Sequence, residues 1–458
     1  MKYPVWLAIF AICGAVSLQG QQAAPASARS GGEDNAALLQ RMKDMEDRII
    51  MLEGKVRMLQ SAASSPTPAP ASAPTAPASE STAQAAAAPQ AEAPAPVAAQ
   101  TQAQTQASIT ASENPNVTYG GAGGSAAKAL NPDISVIGDF IGAAGTNDAP
   151  LLAPQQAFPS LQMHESEIGL QSIIDPYARG DFFISFGEEG VDLEEGYITF
   201  TALPQSFIAK VGKMRSAFGK VNTLHNHVLP WIDRPLVTTN LVGGEDGIDD
   251  AGVSLQRIIP APKGIFLEAT GQVFRGDSGD ENSPVFHATD RGDLSTVEHL
   301  RGYKDITEST NVDIGLSYSR GHNDVGSDFL TQLYGVDATV RWKPLRRSIY
   351  HSFIGRSEFI WSQRQEVGQE QKGFGFYTSA DYQLGRRWFV GARYDRSDRA
   401  RFANLTDKGT SVVVTYWPSE FSQVRGQYRY TDYAEGIKAN EFLMQLIFSL
   451  GAHGAHPF

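Results

Sequence analysis

Two pairs of histidines in the sequence have the spacing of metal ligands. His225-Asn-His227 and His453-x-x-His456 could each offer two imidazole nitrogens to zinc or copper. Neither pair has a third histidine or a carboxylate pattern beside it in the sequence. We therefore interpret both pairs as surface-loop residues and predict no metal or other cofactor, with His225 and His227 kept as secondary metal candidates.

One group of residues has the types that nucleophilic catalysis requires. Ser319, His322 and Asp324 lie close together, but Gly321 and Asn323 between them are typical of a turn. Triad members usually converge from distant positions, and no G-x-S-x-G motif occurs. The sequence therefore predicts that the protein is not an enzyme.

Charged side chains are divided unequally along the chain. Residues 130–340 hold 13 basic and 30 acidic side chains, and residues 341–458 hold 17 and 11, so the two parts carry −17 and +6. In a closed barrel they would face each other across a lumen. The candidate pore-lining residues are Arg341, Arg356, Arg387, Arg393, Arg425 and Arg429 on the basic side and Glu245, Asp246, Asp249 and Asp250 on the acidic side. The alternative, that these charges only solvate walls or loops, stays open.

The segments that would position these charges alternate between apolar and polar residues with a period of two, as β-strands do. From residue 131 to 458, apolar and polar residues alternate in segments of about ten, broken by Gly, Asp, Asn and Pro. In one such segment Val312, Ile314, Leu316 and Tyr318 alternate with Asp313, Gly315, Ser317 and Ser319. The polar face is rich in Gly, Ser, Asp, Arg and Gln, which indicates a water-filled interior. Aromatic residues at strand ends are expected to form interfacial girdles: Trp342, Trp361, Trp388 and Trp417.

The spacing of these segments predicts an all-β protein: a transmembrane antiparallel β-barrel of about 16 strands. The polar stretches 222–248, 276–292 and 397–408 are long, whereas other connections are short turns. We expect the segment 222–250 to fold inward as a constriction. The last strand, 441–450, should face lipid with Phe442, Met444, Leu446, Phe448 and Leu450, and the chain closes on an aromatic residue, Phe458.

The N-terminal part has a different character. Residues 1–28 resemble a secretion signal with a short apolar core, cleaved after Ala28 or nearer Gly20, and this core holds the lone cysteine, Cys13. Within residues 29–60 a heptad pattern predicts a short parallel coiled coil. Its seam residues are Leu38, Met42, Met45, Ile49, Leu52, Val56 and Leu59. The alternative is one amphipathic helix lying on its own barrel.

Residues 61–130 form a linker of Ala, Pro, Gln, Ser and Thr with few charges. Proline every few residues blocks stable helix, and no apolar face is present to bury, so we predict a disordered tether. The net charge of −12 disfavours a nucleic-acid partner, because phosphate binding requires basic excess.

Several motifs support a family resemblance. Residues 211–220 (VGKMRSAFGK) resemble the strand-to-loop segment of phosphate-selective porin O/P-like proteins, with Met214 in place of Phe. Residues 231–236 (WIDRPL) and 250–255 (DAGVSL) resemble the same family's next elements. Residues 131–136 (NPDISV) and the histidine-bearing tail are similar to uncharacterised zinc-regulated outer-membrane receptors.

The resemblance and the barrel pattern together favour an outer-membrane porin, a passive diffusion channel for small hydrophilic solutes or ions. Its expected partners are outer-membrane lipid, further copies of itself, and the cell wall through a periplasmic coiled coil. A trimer follows from porin analogy, because the heptads do not decide between two and three strands. The alternative is an uptake receptor for a metal such as zinc. Energy-coupled receptors carry a folded plug, which the coiled coil and tether cannot supply.

Overall fold

The structure, a computed structural model, describes residues 132–451 except 147, 151–152, 155–157, 189 and 281–282. The predicted signal peptide, coiled coil and tether, the pair His453 and His456, and Phe458 lie outside the described residues.

Alternating sequence segments become β-strands that pair antiparallel throughout. In the part of the chain described, the strand segments are β1 (Asp133–Thr146), β2 (Leu161–Met163), β3 (Ser166–Asp175), β4 (Ala178–Gly187), β5 (Gly190–Phe200), β6 (Phe207–Arg215), β7 (Asp249–Ile259), β8 (Ile265–Phe274), β9 (Ser295–Thr307), β10 (Thr310–Asn323), β11 (Gly326–Trp342), β12 (Phe353–Glu366), β13 (Gln369–Gln383), β14 (Trp388–Asp398), β15 (Thr406–Ser419), β16 (Ser422–Asp432) and β17 (Lys438–Gly451).

The sheet closes on itself. β1 pairs with β17 along its length, from Ser135 opposite Gly451 to Thr146 opposite Asn440. On its other side β1 pairs with both β2 and β3, which are two parts of one strand interrupted at His164 and Glu165. The described residues therefore form a closed barrel of 16 antiparallel strands, which confirms the predicted fold and strand number.

The two faces of the barrel wall differ as the alternation predicts. In β17 the outward residues are Phe442, Met444, Leu446, Phe448 and Leu450, all exposed, and the inward residues are Glu441, Leu443, Gln445, Ile447 and Ser449, all buried. Similar exposed apolar residues occur on the other strands, such as Ile314, Val412 and Val253. An apolar outer surface of this kind matches the hydrocarbon of a bilayer.

The aromatic residues at strand ends divide between the faces. Trp342, Trp361 and Trp388 are 36–49 % exposed on the outer surface. Trp417 is only 7 % exposed and shares the inward face of β15 with Val413 and Thr415, so the prediction that it joins an outer girdle is wrong. Its position two residues beyond Thr415 fixes the side, because side chains alternate along a strand.

The connections differ at the two ends of the barrel. At the end where β1 starts and β17 stops, they are 176–177, 201–206, 260–264, 308–309, 343–352, 384–387 and 420–421. The opposite end carries the two longest connections between neighbouring described strands, 216–248 and 275–294. The long loops expected at 222–248 and 276–292 are present, but the one expected at 397–408 is only 399–405, because its ends extend the pairing of β14 with β15. Asp249 and Asp250 likewise belong to β7, because they extend its pairing with β6.

Residues 216–248, here called the inward segment, fold into the barrel. Their helix α1 (Leu236–Leu241) is buried at every residue and packs against β12, β13, β14 and β15. Within the described chain, none of the helices has the length and apolarity to cross a membrane.

The inward segment is packed against the wall by an apolar cluster. Phe218, Trp231 and Leu241 of the segment meet Phe274 and Tyr377 of the wall, and all five are at most 1 % exposed. A buried side chain of this size contributes roughly 1.5–3 kcal/mol. The segment is therefore held by packing as well as by its polar contacts.

The outer apolar band generates a prediction about stability in lipid. We expect Leu446→Arg, at an outward position of β17, to lower the free energy of unfolding in liposomes by about 2–4 kcal/mol, because a charge at bilayer depth is costly. Phe421→Arg, in the exposed turn 420–421, should cost about 0–1 kcal/mol. Urea-unfolding midpoints measure both. Equal costs would contradict the assignment of this face to lipid.

Candidate functional site

The inward segment starts with a turn that docks on β10 and β12. Gly219 has a φ of +62°, and a Cβ there would lie 1.7 Å from Glu358 Oε1, so only glycine fits. Its backbone N–H donates to Ser317 Oγ at 2.9 Å. The next N–H, of Lys220, donates to Glu358 Oε1 at 3.1 Å. The FGK part of the recognised motif is thus a backbone docking site.

The middle of the segment is anchored by Asp233 to β14 and β16, which follow β12 in the barrel wall. Arg393 Nη2 lies 3.0 Å from Asp233 Oδ1, and Arg429 Nη1 lies 3.0 Å from Asp233 Oδ2. Gln427 Nε2 also donates to Asp233 Oδ1, at 2.6 Å. Asp233, Arg393 and Arg429 are at most 5 % exposed. We call this set the Asp233 anchor.

Residues beside Asp233 extend the anchor. Arg425 Nη1 donates to the carbonyl oxygen of Trp231 at 3.1 Å, and the N–H of Ile232 donates to Gln427 Oε1 at 2.8 Å. The Arg393 guanidinium lies 4.8 Å from the centre of the Trp231 ring, which meets Tyr377 edge to face at 5.2 Å. Residues 231–236 (WIDRPL) are therefore the part of the segment that contacts β13, β14 and β16.

Arg234, the neighbour of Asp233, turns back into the segment. It donates to the carbonyl oxygens of Leu224 at 2.8 Å and Val221 at 3.2 Å and to Asn226 Oδ1 at 3.0 Å. Its guanidinium ties the first half of the segment to the second.

Asp233 is held in its charged form. Burial acts to raise its pKa, but the guanidinium groups of Arg393 and Arg429 and the hydrogen bond from Gln427 lower the pKa to about 2. An ion pair of this kind stays intact at any pH at which an ordinary carboxylate is ionised.

The structure places the six candidate arginines in three settings. Arg393, Arg425 and Arg429 face inward but are buried beneath the inward segment. Arg341 and Arg356 also face inward, where Arg341 lies 3.7 Å from Asp313 and Arg356 lies 2.5 Å from Asp381. The sixth, Arg387, lies in the exposed turn 384–387.

The four candidate acidic residues are also divided. Glu245 accepts from Asn226 Nδ2 at 2.6 Å and lies 3.2 Å from His164 Nε2. Asp246 is exposed, and Asp249 lies 3.3 Å from Lys213 Nζ.

The fourth acidic candidate, Asp250, is 1 % exposed. Its Oδ2 accepts from the N–H groups of Gly276 and Asp277 at 2.7 and 2.9 Å. Asp250 therefore organises the connection 275–294.

The histidines of the segment lie among carboxylates, with His227 buried and His225 half-buried, which corrects their interpretation as a surface-loop pair. His225 Nδ1 lies 2.6 Å from Glu167 Oε2 and 3.3 Å from Glu194 Oε2. His225 Nε2 lies 2.9 Å from Glu195 Oε2. His227 Nδ1 lies 3.9 Å from Glu167 Oε2, and its ring meets that of His225 edge to face at 5.7 Å.

A β-bulge brings the two consecutive glutamates to the same histidine. Opposite β4, Phe183 pairs with Glu195 while Ile184 pairs with Leu193, so Glu194 is the extra residue. In a regular strand Glu194 and Glu195 would point to opposite faces. The bulge turns both toward the lumen, a known use of bulges near functional sites.

The environments of the two histidines differ. Burial acts to lower the pKa of His225, but the charges of Glu194 and Glu167 raise the pKa well above its usual value. Burial lowers the pKa of His227, and the neighbouring charge of His225 lowers it further despite Glu167. The cluster thus holds a positive charge at His225 and an imidazole at His227 that favours its neutral form.

A cavity of about 820 Å³ opens beside the inward segment, between the β4–β5 hairpin and the connection 275–294. Glu194, Arg215 and Glu245 stand on its wall. Its charged lining is mostly acidic. The carboxylates are Glu165, Asp192, Glu194, Glu245, Asp246, Asp249, Asp277, Asp280 and Asp324, against Lys213, Arg215 and Arg275.

Sequence reasoning missed the partners of both clusters. Asp233 is part of the recognised motif, yet nothing in the motif indicates that its partners come from β14 and β16. Glu167 stands on the opposite face of its strand from Ile168 and Leu170, so the alternation does place its carboxylate inside. The inward position of Glu194 depends on the bulge, for which the sequence carries no signal that we recognise.

Comparisons with known proteins identify a sequence relative and several similar solved structures. No protein-family model matches the sequence. The chain is 28 % identical over 389 residues to a chain of Aquifex aeolicus (strain VF5) named "Uncharacterized protein", covering 72 % of this chain and 81 % of that one.

Similar solved structures include the anion-selective porin from Comamonas acidovorans, at 10 % identity over 70 % of this chain and 99 % of that one, with a TM-score of 0.48. The outer membrane channel DcaP of Acinetobacter baumannii shares 13 % identity over 70 % and 96 %, with a TM-score of 0.47. Pseudomonas putida OprB shares 9 % identity over 71 % and 95 %, also with a TM-score of 0.47. With TM-scores below 0.5 these likenesses carry no conclusion about this chain, and its barrel rests on its own strand pairing.

The Asp233 anchor generates a prediction about the inward segment. We expect Asp233→Asn to lower the free energy of unfolding by about 3 kcal/mol and to open residues 216–248 to protease, because two buried arginines lose a shared carboxylate. Asp246→Asn, at an exposed position of the same segment, should change stability by less than about 0.5 kcal/mol. Intact protection of the segment in Asp233→Asn would contradict the anchor.

The low pKa of Asp233 fixes the pH range of the anchor. Because the pKa of Asp233 is lower in the folded protein than in the unfolded chain, where it is about 4, the anchor stabilises the folded state fully above pH 4. This stabilisation is lost as the pH falls through about 2. We expect residues 216–248 to resist pepsin equally at pH 4 and pH 5 and to become cleavable near pH 2. Cleavage that already appears between pH 5 and pH 4 would contradict the assigned pKa.

Proposed function

We propose that the chain is an outer-membrane channel for the passive diffusion of small hydrophilic solutes or ions. The observation that carries the proposal is a closed barrel with an apolar exposed outer face and a long segment folded into its lumen. A closed sheet leaves no unpaired backbone edge exposed to lipid, and its apolar outer face contacts the lipid chains instead of water. The inward segment occupies much of the interior, which limits passage to small solutes.

We propose further that the channel prefers cations. The cavity beside the inward segment has nine carboxylates and three Lys or Arg side chains in its lining. On the basic side, Arg393 is paired with Asp233 and Asp395, and Arg429 is paired with Asp233 and Glu441. Arg425 is buried under Trp231. A narrow passage lined by one sign of charge concentrates counter-ions. Glu245, Asp246 and Asp249 are the proposed pore-lining residues that face this cavity.

The remaining parts of the chain complete the proposal. Residues 1–28 would direct export, the linker 61–130 would span part of the periplasm, and the coiled coil of residues 29–60 would join copies of the chain or contact the cell wall. A homotrimer follows from analogy with porins rather than from any contact in the structure.

Conductance measurements test the function and its charge preference together. Purified protein added to a planar bilayer should give stepwise conductance, and the reversal potential in a KCl gradient should show K⁺ permeating better than Cl⁻. The double variant Asp192→Asn/Asp246→Asn should lower this preference on the order of twofold, because it removes two exposed charges from the cavity. Glu308→Gln, in the turn 308–309 at the other end, serves as the control.

A silent bilayer with correctly folded protein would contradict the channel. Stepwise conductance with a preference for Cl⁻ would contradict the proposed cation preference but not the proposed channel function.

A further inference from the structure

We propose that His225, His227, Glu167 and Glu194 form a binding site for a divalent transition-metal ion, with Zn²⁺ as the best match. The site joins the inward segment to β3 and β5, and it stands whether or not the chain conducts. The donor atoms of Glu167, His225 and His227 all lie within 4.8 Å of one another. Glu194 adds a second carboxylate, with its Oε2 3.3 Å from His225 Nδ1.

The distances between donor atoms suit a single ion. Glu167 Oε2 lies 2.6 Å from His225 Nδ1 and 3.9 Å from His227 Nδ1, and Glu194 Oε2 lies 3.3 Å from His225 Nδ1. Ligands at about 2.0–2.1 Å in a tetrahedral zinc site are roughly 3.3 Å apart. These three separations bracket that value, and the donor atoms of Glu167, His225 and His227 all lie within 4.8 Å of one another, so adjustment of these side chains would bring them onto one ion.

Glu194 provides an independent observation. The residue is 5 % exposed, and its Oε1 is held by Arg215 Nη2 at 2.5 Å. Its Oε2 accepts no hydrogen bond among the described residues and is met there by the His225 ring as an ion pair, with 3.3 Å between Oε2 and Nδ1. A buried carboxylate oxygen without a donor is costly. A metal ion at the proposed site would satisfy this oxygen.

Glu195 orients the histidine ligand. Its Oε2 lies 2.9 Å from His225 Nε2, on the far side of the ring from Glu167 and Glu194. Metal binding would release the proton from Nδ1 of the charged His225. The proton that stays on Nε2 is donated to Glu195, which leaves the Nδ1 lone pair directed at the site. Carboxylate–histidine–metal arrangements of this kind fix the tautomer and strengthen the ligand.

The donor set selects the class of ion. Four-coordinate binding by two nitrogens and two oxygens is typical of zinc. Ca²⁺ is instead bound by six to eight oxygens, and Mg²⁺ by an octahedron that usually keeps several waters. Two carboxylates also neutralise the double charge in a buried place. The ion has a route to the site, because Glu194 stands on the wall of the 820 Å³ cavity.

The consequence for the fold is a second attachment of the inward segment. The Asp233 anchor holds the segment to β14 and β16, while His225 and His227 meet β3 and β5, which lie further around the wall beyond β17 and β1. A bound ion would fix the segment at both of these places.

Zinc binding to the full-length chain without an affinity tag tests the site. The protein is stripped with EDTA in detergent, titrated with ZnCl₂ against a chromophoric chelator, and its bound metal is counted by mass spectrometry. We expect one tightly bound Zn²⁺ per chain, not displaced by excess Mg²⁺ or Ca²⁺. His225→Gln/His227→Gln should weaken binding by more than about 100-fold, and Glu195→Gln by about 10–100-fold.

Two controls keep the result specific. His453→Gln/His456→Gln removes the other histidine pair of the sequence and should leave the zinc affinity unchanged. His287→Gln removes an exposed histidine that lies 3.2 Å from Asp277 and should likewise have no effect. Glu195→Gln keeps all four ligands, so its weakened binding identifies the site even if the double histidine variant does not fold.

The proposal is overturned if stripped wild-type protein binds no Zn²⁺, if folded His225→Gln/His227→Gln binds as tightly as wild type, or if Mg²⁺ displaces the ion. None of these measurements depends on conductance, so failure of the site and failure of the channel are distinguishable.

Discussion

The contact between Asp233 and the paired guanidinium groups of Arg393 and Arg429 decides where the inward segment lies. All three charges are buried, so each alone would be strongly unfavourable, and their mutual satisfaction favours one position of the segment over others. Gln427 donates to the same carboxylate and accepts the N–H of Ile232, which fixes the backbone as well as the side chain. The cavity beside the segment, its acidic lining and the histidine cluster all depend on this placement.

The closed barrel makes such an anchor necessary. A sixteen-stranded wall encloses a lumen wide enough to hold a segment, and any backbone that enters it must have its polar groups satisfied by the wall. Gly219 and Lys220 satisfy theirs through Ser317 and Glu358, and the apolar cluster around Trp231 excludes water between segment and wall. The attachment to β14 and β16 is electrostatic and apolar, and the attachment to β3 and β5 is a cluster of histidines and glutamates.

The sequence predicted the fold well because a barrel wall repeats every two residues. The faces of β17 follow directly from the alternation at 441–450, and the strand number follows from the recurrence of such segments. The same rule, applied strictly, would have placed Trp417 inside. The alternation does not predict how strands pair in register. Asp249 and Asp250 were predicted to lie in a loop, yet they extend β7. The bulge that turns Glu194 inward has no distinctive sequence pattern. Partners of Asp233 lie some 160–196 residues away, so only the closed sheet brings them together.

A double-mutant cycle on Asp233 and Arg393 tests the anchor most directly. The free energy of unfolding in liposomes would be measured for wild type, Asp233→Asn, Arg393→Gln and the double variant. The account predicts a coupling free energy above about 1 kcal/mol, because each substitution removes the same buried interaction. Additive effects within about 0.5 kcal/mol would mean that the two side chains act independently and would contradict the anchor.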